Sequence, residues 1–146
     1  MTEEALDAEK ARSELTMFVG TWTIKGSEDS YRETVAWLPG GGFIACDAED
    51  NSPDGGDYSH SVMGYSAAEG VYTHVGFHRS GSYRSLRGTL RDGVWRFFGQ
   101  SERGPNWRRY LATISPSAEG YSFVEEVSDR GGPWRISVER TFLRLE

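Results

Sequence analysis

The sequence predicts an all-β fold, a closed up-and-down antiparallel β-barrel of about ten strands with a single helix at its N-terminus. Three observations lead there. Short alternating runs of aromatic and β-branched residues fill the chain from residue 18 to residue 145, clusters of Gly, Pro, Asp and Ser separate them, and almost every connection is too short for a helical crossover. A long meander hides its edges best by closing on itself, which favours a barrel over a two-sheet sandwich.

Residues 3–18 read as the helix. Ala8, Ala11, Leu15 and Phe18 recur at a 3-4-3 spacing, and Glu3 and Glu4 after Thr2 complement the dipole at its start. Strands are then expected at 18–24, 31–38, 43–49, 58–65, 71–79, 83–90, 94–101, 107–115, 121–128 and 134–145. Between them lie the turn sequences LPGGG, SPDGGD, SAAEG, RSGS, RDG, SPSAEG and DRGGP. No repeat, low-complexity tract or linker interrupts the chain, so residues 1–146 are expected to form one domain, with helix 3–18 and barrel 18–145.

Composition excludes several function classes. A chain of 146 residues with 37% hydrophobic and 13% aromatic residues can bury roughly 70% of its unfolded surface. The net charge of −6 and the dispersal of arginines among acidic residues argue against a nucleic-acid partner. One cysteine, Cys46, permits no internal disulfide, and the opening MTEEALDAEK lacks the basic start and apolar run of a secretion signal, so a cytoplasmic protein is expected. No apolar stretch approaches the ~20 residues needed to span a bilayer, so no membrane association is expected.

Alternation assigns side chains to faces. In the last strand Trp134, Ile136, Val138, Arg140 and Phe142 share the inner face. Glu33 turns inward with Val35 and Trp37, and Glu125 turns inward with Tyr121, Phe123 and Val127. The strand VYTHVGFHR has apolar residues on both faces; Tyr72, His74 and His78 are taken as inward and His60 on the preceding strand as outward.

The run Phe18-Val19-Gly20-Thr21-Trp22 is a Gly-x-Trp opening to the first strand. It resembles that of the calycin superfamily, which comprises lipocalins, fatty-acid-binding proteins and their relatives. The segment Glu33-Thr34-Val35-Ala36-Trp37-Leu38-Pro39-Gly40-Gly41-Gly42-Phe43, with Gly64-Tyr65-Ser66 before the Tyr72 strand, is more closely similar to a bacterial family of lipocalin-like proteins of unknown function. The likeness spans most of residues 15–145, and Ser66 stands where an Asp is commoner. By that resemblance Arg140 would lie across Trp22 and close the barrel base; a clamp on a ligand carboxylate is the other reading of Arg140.

The chemical candidates are few. His74 and His78 are four residues apart on a strand, ~13 Å, too far to share a metal, so no metal site is expected. Each is a general base, a ligand hydrogen-bond donor or an ordinary barrel histidine. Glu33 and Glu125 inside an aromatic wall would have raised pKa values and could serve as acids, unless they pair with inward arginines or lie at the wet mouth. Cys46 alternates with Ile44 and Ala48 and reads as a small buried hydrophobe. Neither a nucleophile elbow nor a phosphate loop is present.

The function expected is binding of a small apolar or amphipathic molecule in the cavity, against Trp37, Tyr72, Trp95, Phe123 and Trp134 with polar contacts from Glu33, His74, His78 and Glu125. A cofactor-free cyclase or isomerase of natural-product metabolism, with Glu33 or His74 as its catalytic group, is the alternative from another class. A solid barrel with a structural or interaction role is the third. No cofactor is expected under any of the three, and a homodimer is left open.

Overall fold

A computed structural model describes residues 2–53, 56–101 and 104–145. Asp54 and Gly55 of the SPDGGD turn, and the side chain of Glu4, lie outside the described residues. The chain is all-β, with ten antiparallel strands closing in simple meander order: β1 (Gly20–Ile24), β2 (Tyr31–Trp37), β3 (Phe43–Asp50), β4 (Asp57–Ser66), β5 (Val71–His78), β6 (Tyr83–Arg91), β7 (Val94–Ser101), β8 (Arg108–Pro116), β9 (Gly120–Asp129) and β10 (Trp134–Arg144). The last strand pairs with the first, so among the described residues no strand is left as an open sheet edge.

The N-terminal segment departs from one continuous helix. An α-helix, α1, runs Glu3–Ser13 and tightens into a 3₁₀ segment over Glu14–Phe18. The tighter winding carries Leu15 and Phe18 into the barrel end, where both are buried. The chain thus enters β1 at Gly20, two residues later than the apolar pattern alone suggests.

Tight turns set the register. Asp92-Gly93 and Arg130-Gly131 each put two successive residues at positive φ, 53° and 76°, the geometry of a two-residue hairpin that matches strand twist. Short hairpins join the strands at both ends, but the ends differ. One is plugged by the helical segment, and around it pack Phe18, Trp22, Tyr72, Trp95 and Tyr121 in edge-on and tilted ring contacts. No helix among the described residues is long and apolar enough to cross a membrane.

Two expectations about β10 are corrected. Arg140 does not cover Trp22; Arg144 does, its Cζ 4.2 Å from the ring centroid. Cross-strand pairing explains the choice, because Arg144 lies directly opposite Trp22 whereas Arg140, four residues earlier, pairs with Phe123. The second correction concerns phase. The register slips between Ile136 and Val138, which reverses the faces of the preceding residues, so Trp134 and Ile136 are exposed on the outer wall at 46% and 57%.

Candidate functional site

The barrel interior contains a chamber of about 110 Å³ beneath the plug. Most of its wall is apolar, from Phe18, Val35, Ile44, Met63, Ile114 and the rings of Phe123 and Phe142. Glu33, Cys46, Ser61, His74 and Tyr121 interrupt that surface with polar atoms. Among the described residues no lysine or arginine lines it.

Glu33 is the centre of the polar group. Alternation on β2 turns Glu33 and Val35 into the barrel while Arg32, Thr34 and Ala36 face water. Ala48 stands directly across from Glu33, and the diagonal neighbour Cys46 donates its thiol to Oε1 at 2.9 Å. From the far wall Tyr121 donates to Oε2 at 3.3 Å. Burial raises the pKa of Glu33 even though these donors favour the charged form. The same burial, with Glu33 beside it, pushes the Cys46 thiol up, so it stays protonated and is a donor rather than a nucleophile.

His74 lies on the same chamber. It is packed edge-on against Phe97 at 5.9 Å, and its Nδ1 is sealed from solvent with no hydrogen-bond partner among the described residues. Burial and the nearby Arg84 guanidinium lower its pKa to about 4, so the ring is neutral at physiological pH.

Above the chamber, the open end holds a second recess of about 210 Å³ that includes Tyr31, Asp50, Asp57, Tyr58 and Arg140. Phe123 and Phe142 belong to the walls of both spaces and stand between them. Arg140 makes no ion pair within 4 Å among the described residues, and its guanidinium acts on the neighbouring Tyr31 hydroxyl.

The other expected residues fall elsewhere. Trp37, Tyr72 and Trp95 belong to the plugged end: Tyr72 donates to the Ala11 carbonyl at 2.6 Å, Trp95 Nε1 contacts Met17 Sδ at 3.1 Å, and Trp37 packs on the same core. Desolvation pushes the Tyr72 hydroxyl up to about 12. His78 is at the exposed rim, with Nε2 2.6 Å from Asp57 and Nδ1 2.8 Å from Ser80. Glu125 is buried but meets a cation: Arg84 abuts Oε1 as a charge contact rather than an aligned hydrogen bond, and Ser137 donates to Oε2 at 3.0 Å. Arg84 also lies over the Tyr110 ring at 4.7 Å.

Sequence reasoning missed Cys46, Ser61 and Tyr121 as members of the Glu33 cluster and Arg84 as the partner of Glu125. A signal for Cys46 exists: pairing Trp37 with Ile44 across the LPGGG turn puts residue 46 diagonal to residue 33. Tyr121 reaches Glu33 from 88 positions along the chain, across the barrel, which hairpin counting cannot show. Among the described residues no three His, Cys, Asp or Glu side chains gather as a metal-binding group. Neither a scan of protein-family models nor a search of curated proteins returns a match to this chain.

Proposed function

We propose that this lipocalin-like barrel binds a small amphipathic molecule, with its apolar part in the chamber and its polar end at the mouth beside Arg140. The observation that carries this reading is the largely apolar chamber of about 110 Å³ in the barrel interior. That volume is near the ~150 Å³ of an apolar cavity able to hold benzene, so it suits one ring or a short branched chain. The recess above it adds room for a head group, where the Arg140 guanidinium offers a charge-assisted contact beside the carboxyls of Asp50 and Asp57.

The test is a one-ring amphipath of that shape, 4-ethylbenzenesulfonate, titrated into the folded protein and followed by calorimetry. Saturable one-site binding is expected. Filling the chamber with Val35→Trp should abolish it, and Arg140→Ala should weaken it by roughly tenfold, the loss of one charge-assisted contact. A probe that binds only above the melting transition would favour the solid-barrel alternative.

One observation supports a second reading, a cofactor-free isomerase. A carboxyl whose pKa burial raises and an imidazole that stays neutral line the same chamber, two groups that can exchange a proton with a ligand. Turnover of an enolisable ketone that is lost in both Glu33→Gln and His74→Leu would establish it.

A further inference from the structure

Strand register lays out the outer wall of β7–β10 in rows. In one row Arg96 on β7 stands beside Thr113 on β8, Val124 on β9 and Glu139 on β10. In the next, Phe98 is followed across the same strands by Leu111, Glu126 and Ile136. Alternation turns these residues outward, since their strand neighbours Trp95, Phe97, Ala112 and Glu125 are the buried ones. Phe98 is 51% exposed and Ile136 57%, and the next row adds the exposed ring of Trp134. Apolar side chains gathered on one face in this way mark a contact surface.

The charges on the same face say what the contact is with. Arg96 and Arg109 lie on its β7–β8 half, Glu126 and Glu139 on its β9–β10 half. None of the four makes an ion pair within 4 Å among the described residues, whereas Arg87 on the adjoining β6 already holds Glu69. A partner of uniform charge would be repelled by one half of this face. A second copy, turned about an axis that runs along the strands between β8 and β9, meets it with the halves exchanged. That rotation keeps each row level and swaps β7 with β10. Arg96 then faces the partner's Glu139, Phe98 faces the partner's Ile136, and each contact occurs twice.

We infer that the protein self-associates as a two-fold dimer through the outer wall of β7–β10, with Arg96 and Glu139 setting the alignment. The inference is independent of the chamber and its ligand.

The test is sedimentation of the full chain from about 1 µM to about 1 mM, where the mass should rise to that of a dimer. Arg96→Glu sets like charges opposite each other at both ends of the contact, and Glu139→Arg does the same with the sign exchanged. Each should weaken association roughly tenfold or more. Both side chains are exposed, so circular dichroism and the melting temperature should not change. Arg96→Asp and Glu139→Lys serve as the pair should either reversal disturb the fold. Mixing the two single variants in equal amounts should restore association, because both contacts of the mixed dimer again join opposite charges. Phe98→Asp should prevent association alone and in any mixture, since it buries an unpaired carboxylate.

A chain that stays monomeric throughout would overturn the inference, as would association indifferent to both reversals or to Phe98→Asp. Variants that dissociate singly and stay apart when mixed would overturn the two-fold pairing of Arg96 with Glu139.

Discussion

Arg144 lies over the Trp22 ring with Cζ 4.2 Å from the centroid, and its two terminal nitrogens donate to the carbonyls of Val19 at 2.8 Å and Met17 at 2.9 Å. One guanidinium therefore ties the last strand to the segment that leads into the first. Trp22 is held from its other edge, where Nε1 donates to the Phe18 carbonyl at 2.9 Å. The stacked cation, the fork and the indole donor all converge on residues 17 to 22, which is where the plug meets the barrel wall.

A double-mutant cycle on this contact should be non-additive. Trp22→Ala and Arg144→Ala should each destabilise the protein, with a coupling of ~0.5 to 3 kcal/mol between them, as for groups in contact. Arg144→Lys should recover little, since an ammonium neither stacks flat nor spans two carbonyls. The control is Arg140→Ala, whose effect on denaturant stability should add to that of Trp22→Ala.

Stability should fall with acid through His74. Its folded pKa of about 4 lies below the ordinary histidine value of ~6.5, so the unfolded chain takes up the proton first. The contribution is present above pH ~6.5 and is lost as the pH falls towards about 4, by at most roughly 3 kcal/mol for a shift of this size. His74→Leu should flatten that limb in urea titrations at pH 7 and pH 4.5.

Glu33 should act with the opposite sign. Its carboxyl is raised, so the folded state keeps a proton that the unfolded chain has released, and the stability it contributes below the ordinary value of ~4.3 is lost as pH rises. Glu33→Gln removes that loss. The stability of the variant relative to the parent should therefore be greater at pH 8 than at pH 4, and an unchanged difference would place Glu33 in a charged, solvated setting.

Local patterning made the barrel legible: turn chemistry at Asp92-Gly93 and alternation around Val35 and Tyr121 each point to the face and register found. It failed at β10. A slip of one residue between Ile136 and Val138 leaves no mark in a run that alternates cleanly throughout, so Trp134 was assigned to the wrong wall. Arg140 and Arg144 both lie on the inner face, and choosing between them requires the pairing with Trp22 across the barrel closure. The site was legible only as single residues. Glu33 follows from alternation and the facing of His74 had to be chosen on a strand apolar on both sides, but that they share a chamber, and that Glu125 meets Arg84 instead, depends on neighbours far apart in sequence.

Two glycines offer the same clash with different outcomes. A Cβ at Gly88 would lie 2.5 Å from the Phe97 ring, and one at Gly64 would lie 2.4 Å from the Phe43 ring. Phe43 is 48% exposed on the outer wall and can swing into solvent, so Gly64→Ala should cost little. Phe97 is 2% exposed, parallel to Trp95 at 6.3 Å and edge-on to His74, so its ring has nowhere to go. Gly88→Ala should therefore destabilise the protein by ~1 to 3 kcal/mol through overpacking. Shrinking the obstacle should restore much of the loss: in the Gly88→Ala background, Phe97→Leu should be far less harmful than it is alone. Equal effects of the two glycine substitutions on denaturation midpoints would mean that the Phe97 side of the barrel yields as readily as its surface.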